Sequence, residues 1–426
     1  MFRTRPLLLL LLPAAVLLAG CVPKNNGKTR IQYSFWGSIE QQAVERMIAA
    51  EFEKANPDVE VELVPIGTRY SEKVQSMIIG DVAPDIIMTD FNQYLEWAKR
   101  GALADVTDLT EQLTSKNELM PIPQQAFRQG GRYHAFPINC SGVAMFYNVD
   151  ALAAAGIRPE ELDTWEDLWR LAPRLSRRGG NPEAKTDYAA LLPSPQLIFW
   201  GYGGELLDDI YKPTKVQVNA EAFRRTVELM RKARAEGWAV PPDVSTDQGT
   251  YQLFRDGKVA VYIDGRWRSP ELVNKTAFTW DVRAIPGGPA GRVTQHGGTG
   301  IAISSQTQGA ELDAARRFFL FYASERGLEL ATQAGRSVPV YRDMAYGASF
   351  LNSRPPEHIR VFSETMEPGA SRFITYTPGT QGLASIFSGA IERALSDPSR
   401  PVDLVQKRLE QDLERWLRRQ KDKGML

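Results

Sequence analysis

Two hydrophobic periods alternate from about residue 30 onward, and that alternation constrains the fold more than any other feature. Ile31-Gln32-Tyr33-Ser34-Phe35-Trp36 is rich in β-branched and aromatic residues and reads as a strand. From Glu40 to Asn56 the apolar residues Val44, Met47, Ile48, Phe52 and Ala55 recur at helical spacing. Asn56-Pro57-Asp58 ends that helix, because proline lacks a donor and restricts its predecessor. Val59 to Val64 reads as a second strand, and Tyr70 to Gly80 as a second helix closed by its glycine. Asp85 to Thr89 is short and almost continuously apolar, as in a buried parallel sheet. Gln93 to Arg100 is the next helix. This rhythm predicts an α/β fold, a parallel sheet with helices on both faces.

The pattern resumes further along. Val143 to Asn148 and Val259 to Ile263 read as strands, and Thr164 caps a helix carrying Trp165, Leu168 and Trp169. Ala222 to Ala235, Ala314 to Tyr322, Gly379 to Leu395 and Val402 to Arg419 are helical, and the cluster Gly287 to Gly291 marks a boundary. A chain of 426 residues is too long for one simple core and implies two or three domains.

The first twenty-odd residues follow a different logic. Arg3 and Arg5 precede an apolar run from Leu7 to Leu18, and Leu18-Ala19-Gly20-Cys21 follows. A basic head, a short apolar stretch and small residues read as a secretory signal over 1–20. The run is short for crossing roughly 30 Å of hydrocarbon. Leu-Ala-Gly-Cys resembles the lipobox of bacterial lipoproteins, which implies cleavage before Cys21 and lipidation there. Several acyl chains would anchor the protein at a membrane facing the periplasm or cell exterior. Residues 21–29 form the lipidated cysteine and a polar tether. With Cys21 modified, Cys140 has no disulfide partner within the chain. Lysine plus arginine and aspartate plus glutamate both total 51, so the charge balance gives no case for nucleic acid as a partner.

The order of motifs resembles the extracellular solute-binding proteins of ABC importers, in the family that includes maltose- and glycerol-phosphate-binding proteins. Phe35-Trp36-Gly37 comes first, then Phe52 to Pro57 and Gly80-Asp81-Val82-Ala83-Pro84-Asp85. Gly101 to Val106, Tyr133 to Pro137 and Phe146 to Asp150 follow. Thr164 to Leu168, Trp200 with Gly203-Gly204, and Phe254 to Trp267 complete the series. The resemblance implies two α/β lobes joined by two or three hinge crossings, with the solute held in the cleft between them. Lobe one would hold 30–137 plus 290–340, and lobe two 138–289 plus 341–426. It further implies a monomer, without cofactor or metal, that hands a small solute, a carbohydrate, to permease subunits.

A sugar offers hydroxyls that want donors and acceptors, and C–H faces that want a flat apolar plate. Residues of both kinds stand at predicted strand ends. Trp36 and Ser38 follow the first strand, and Thr89, Asp90 and Asn92 follow the third. Ser141 lies near the first crossing, and Trp200 and Tyr202 precede a Gly-Gly pair. Asp264, Arg266 and Trp267 follow the strand ending at Ile263, and Trp267 matches the family's stacking tryptophan. Gly297 and Gly298 lie after the return crossing, Arg336 near the third, and Tyr376 in a late loop. Each has a structural alternative. Trp36 and Trp200 could be core, Asp90 a helix cap, and Arg266 a surface ion pair. Some sugar-binding members carry an acid where Ser141 stands. The same fold could instead take glycerol phosphate, a polyol or a polyamine. Enzymatic signatures are weak: His134, His296 and His358 are scattered without ligand spacing, and no carboxylate pair is singled out for a glycosidase.

Overall fold

The structure, a computed structural model, describes residues 27–37, 39–191, 193–240, 250–273, 275–333, 335 and 338–426. The signal, Cys21, most of the tether, Ser38 and Arg336 therefore lie outside the described residues. The first strand, β1, spans Thr29–Phe35, so it begins at the last residue assigned to the tether. Its alternate residues Ile31, Tyr33 and Phe35 are buried, as the period of two demands. Helix α1 (Ile39–Ala55), β2 (Val59–Pro65), α2 (Tyr70–Ile79), β3 (Ile86–Asp90) and α3 (Phe91–Lys99) follow in the expected order.

Two sheets result. In the larger, β1 pairs in parallel with β2 and β3. The long strand β9 (Thr294–Ile303) runs antiparallel to β3 on one side and to β4 (Phe136–Gly142) on the other. A two-residue strand, β10 (Ser371–Arg372), closes the far edge beside β9. The sheet is thus mixed, not parallel throughout. The reason is connectivity: β9 returns from the second sheet and enters the first in the reverse sense. The smaller sheet has the order β8-β5-β7-β6, from β5 (Ala144–Asn148), β6 (Tyr188–Ala190), β7 (Val259–Asp264) and β8 (Trp280–Arg283). β4 runs into β5 with only Val143 between them, and β8 leads through a loop into β9. These are two crossings between the sheets.

The chain packs around two apolar clusters. One gathers Ile31, Phe52, Phe91, Phe136 and Phe319 about the larger sheet and extends to Phe146, Tyr262 and Trp280 on the smaller. The other gathers Leu168, Trp169, Phe199, Phe223 and Phe387 about the smaller one. Trp165 and Trp169 lie in the second cluster, buried as packing residues. The third passage is broader than a single crossing. Ala345, Phe350, Ile359, Phe362 and Met366 join the first cluster, which also holds Phe146, Tyr262 and Trp280 of the smaller sheet. Phe362 reaches the second sheet through Phe146, at 6.0 Å between ring centroids. From Leu383 onward the chain belongs to the second cluster, through the helices Thr380–Ser396 and Val402–Asp422.

Candidate functional site

Strand β9 divides the space between the lobes, and its alternation decides what faces each side. A Cβ on Gly297 would lie 3.4 Å from the Trp267 ring. A Cβ on Gly300 would lie 2.5 Å from the Phe127 ring, and one on Gly298 3.2 Å from it. Gly297 and Thr299 thus face one side, and His296, Gly298 and Gly300 face the other.

On the Gly297 side lies a cavity of about 220 Å³. Trp36, from the end of β1, and Trp267, from the turn after β7, both line it. Its polar lining comes from Gln41, Asn139, Thr299 and Tyr322, and Met88 and Ile138 add apolar surface. The position of Trp36 is fixed by Tyr70, whose ring meets it edge-on at 4.9 Å, while the Tyr70 hydroxyl donates to the Met88 carbonyl at 2.7 Å. Trp267 folds back over Gly265, where a Cβ would stand 2.1 Å from the ring, so only glycine fits. Both indoles remain partly exposed. The arrangement offers aromatic plates from both lobes and hydrogen-bonding groups between them, as a polar solute with apolar faces requires.

Beneath this cavity sits a buried acid. The Glu45 carboxylate accepts from the Tyr33 hydroxyl at 3.1 Å, from the Tyr322 hydroxyl at 3.0 Å and from the Gln41 amide at 2.6 Å. Burial pushes Glu45 up to about 7 despite these bonds. Gln41 and Tyr322 belong both to this network and to the cavity wall, so Glu45 positions them.

The opposite side of β9 is packed. His296 is 1% exposed, and its Nε2 lies 3.1 Å from the Tyr376 hydroxyl. Phe373 stacks on Phe91 at 3.8 Å, and Tyr211 stacks on Tyr376 at 4.9 Å. Burial lowers His296 to about 3, which keeps it neutral. Cavities of about 680 and 410 Å³ open beyond Tyr211 and Tyr376. They are larger than the one between the tryptophans, but the facing surfaces of those two tyrosines are spent on each other. The smaller cavity is the one that Trp36 and Trp267 share.

The structure therefore sorts the residues expected from sequence. Trp36 and Trp267 come together at the cavity. Gly297 faces it, whereas Gly298 faces Phe127 and Tyr376 lies in the packed layer. Ser141 is buried opposite Gly297 in the β4–β9 ladder. Asp90 caps α3, accepting from the amides of Asn92 at 2.7 Å and Gln93 at 3.2 Å. Burial raises its pKa and these bonds lower it. The Thr89 hydroxyl is buried and donates to the Asp90 carbonyl. Asp264 accepts from Gly265 and pairs with Arg268 at 3.1 Å. Trp200 is buried in the second core under the Arg372 guanidinium, and the Tyr202 hydroxyl donates to Glu166. Neither lines the cavity. Arg266 is buried with an unpartnered Nε. Sequence reasoning missed Gln41, Asn139, Thr299 and Tyr322. Thr299 had a signal, as the one polar side chain in the run Gly297 to Gly300.

Known proteins agree with this architecture. The family described as bacterial extracellular solute-binding protein matches residues 36–329, more than half of the chain. An arabinooligosaccharide-binding protein of Bacillus subtilis is 24% identical over 346 residues, 75% of this chain and 76% of that protein. Among solved structures, the substrate-binding protein Lmo0181 of Listeria monocytogenes, in complex with cycloalternan, superposes with a TM-score of 0.78. It is 22% identical, over 94% of this chain and 100% of that one. UgpB of Mycobacterium tuberculosis, in complex with glycerophosphocholine, gives 0.76 at 22% identity, over 92% and 100%. Among the described residues no helix is long and apolar enough to cross a membrane. With its two-lobed α/β fold and a cavity between the lobes, this chain belongs to the bacterial extracellular solute-binding proteins.

Proposed function

We propose that this protein is the solute-capturing lipoprotein of an ABC importer and that its solute is a sugar or oligosaccharide. The observation that carries the reading is the shared cavity of Trp36 and Trp267, one from each lobe, ringed by Gln41, Asn139, Thr299 and Tyr322. A sugar touching both plates at once favours the closed lobe pair, because only that form offers both contacts. A relative named for arabinooligosaccharide and a structural neighbour solved in complex with cycloalternan support a saccharide as the solute. Closure would present both lobes to permease subunits, while acyl chains on Cys21 keep the monomer at the membrane. The protein binds its solute and does not convert it.

The direct test is calorimetry after a thermal-shift screen of mono- and oligosaccharides, polyols and phosphates. A saccharide should raise the melting temperature and bind one to one, unchanged on recovery. Binding only to non-saccharides would overturn the sugar assignment, and turnover of an oligosaccharide would overturn the receptor assignment. For anchoring, Cys21→Ala should move the protein from the membrane fraction to the soluble one. Undiminished membrane association would contradict the lipobox reading.

A further inference from the structure

Glu45 is fully buried beneath the cavity that Trp36 and Trp267 share. Its two oxygens accept from three donors on three elements. They are the Tyr33 hydroxyl on β1 at 3.1 Å, the Gln41 amide on α1 at 2.6 Å, and the Tyr322 hydroxyl, at the end of the helix Gly309–Tyr322, at 3.0 Å. Gln41 and Tyr322 also line the cavity. The Tyr322 ring packs against Tyr33 at 6.0 Å and Phe318 at 6.1 Å. Its hydroxyl meets the same carboxyl as Gln41, so the hydroxyl end is the part that borders the cavity.

Among the described residues no cation offsets this acid. The groups that face it are Tyr33, Tyr322 and Gln41, and Tyr70 of α2 lies next to Tyr33. Charged side chains on the other elements packed here pair with each other instead. Glu60 and Glu62 of β2 meet Arg30, Arg316 meets Asp108, Arg317 meets Asp58, and Arg326 meets Glu51 and Glu329. An ionised carboxylate suits three donors, whereas a neutral carboxyl carries an O–H that needs an acceptor of its own. Burial works the other way and pushes Glu45 up to about 7. The two forms are therefore close in free energy near neutral pH, and a modest interaction at the cavity wall decides between them.

With Glu45 ionised, Tyr322 donates inward and its oxygen offers lone pairs to the cavity. A sugar hydroxyl donating to that oxygen completes a chain from solute through Tyr322 to the carboxylate, in which each bond strengthens the next. Resting on the sugar reading, we infer that a solute hydroxyl donates to Tyr322, that ionised Glu45 is the binding form, and that capture of a neutral sugar therefore releases a proton. The proton passes from the Glu45 carboxyl to the buffer, and no covalent bond of the solute changes. Glu45 is a positioning residue: it acts through Tyr322, which it sets to accept. The bound protein holds the lower Glu45 pKa, so affinity falls wherever the free protein is protonated and rises with pH through about 7.

The test is calorimetry of the full mature chain with arabinose, arabinobiose, glucose and maltose, with mannitol and glycerophosphocholine as non-saccharide controls. The best saccharide should bind at least about fivefold more tightly at pH 8 than at pH 6. At pH 7 the binding heats in PIPES and in imidazole should differ by the release of about half a proton per sugar. Glu45→Gln mimics the neutral carboxyl and should bind at both pH values with the affinity that the unaltered protein shows at pH 6. Tyr322→Phe breaks the chain at its middle and should flatten the profile as well, so the test survives if one variant fails to fold. A flat profile, equal heats in the two buffers, tighter binding at pH 6, or a profile retained in either folded variant would overturn the inference and leave the sugar reading standing. A protein that binds only the controls, or no probe at all, would lose both.

Discussion

The two faces of β9 are built from the same ten residues and do different work. Toward Gly297 and Thr299 the strand borders a cavity with partly exposed indoles and polar groups. Toward His296, Gly298 and Gly300 it meets Phe127, Phe373 and Tyr376 in close packing. Glycine serves both faces, by letting Trp267 lie over one and Phe127 press on the other. A displacement of one residue in register would exchange the two roles. Position within the strand, and not residue type, separates a binding surface from a packing surface here.

The faces also titrate in opposite senses, and this gives the largest expected effects. His296 has its folded pKa lowered to about 3, below the ordinary histidine value of 6.5. Its contribution to stability is therefore fully present above about pH 6.5 and is lost as pH falls through about 3. His296→Gln should recover part of the acid loss, on the order of 4 kcal/mol at full extent. Denaturant titrations between pH 3 and 7 measure it, and an unchanged slope would place His296 outside the packed layer. Glu45 lies on the cavity side with its pKa raised to about 7 from 4.5. Its contribution is fully present below about pH 4.5 and is lost as pH rises through about 7. Glu45→Gln should flatten the stability curve over that window by roughly 3 kcal/mol at most. Should the two variants change the curve with the same sign, the contrast between the faces fails.

Smaller effects come from the glycines. Gly300→Ala would drive a methyl group into Phe127, which is fully buried and cannot yield, and should cost about 1–3 kcal/mol of stability. Gly297→Ala meets Trp267 only at van der Waals distance and should change stability by less than about 0.5 kcal/mol. Urea melts of the two variants sharpen the comparison, and equal losses would contradict it.

Much of this fold was legible before the structure. The run from β1 to α3 follows from apolar spacing and from stop signals at Asn56-Pro57 and Gly80. Trp36 stands beside Gly37 and Trp267 two residues after Gly265, each just past a strand end, and the structure brings both to one cavity. The mixed sheet was not, because local periodicity does not report the direction in which β9 returns. Nor could sequence choose between Gly297 and Gly298, which share composition and differ only in the face they take. Gln41, Asn139 and Tyr322 come from α1, β4 and a helix more than 160 residues beyond β4, and only the tertiary structure brings them together. Trp200 and Tyr376 are the converse case, aromatic residues in family-like positions that the structure commits to packing.

The central claim is that the solute binds between Trp36 and Trp267 and not beyond Tyr376. Calorimetric affinity for the best saccharide, measured side by side in Trp267→Ala and Tyr376→Phe, tests it most directly. Trp267→Ala should weaken binding tenfold to hundredfold, about 1–3 kcal/mol, while its fold is retained. Tyr376→Phe, which loses the hydroxyl's hydrogen bonds to His296 and to the Phe373 backbone, should cost about 1–2 kcal/mol of stability and leave affinity within about twofold. Unchanged affinity in a folded Trp267→Ala protein, with a large loss in Tyr376→Phe, would move the site to the other face of β9 and contradict the account.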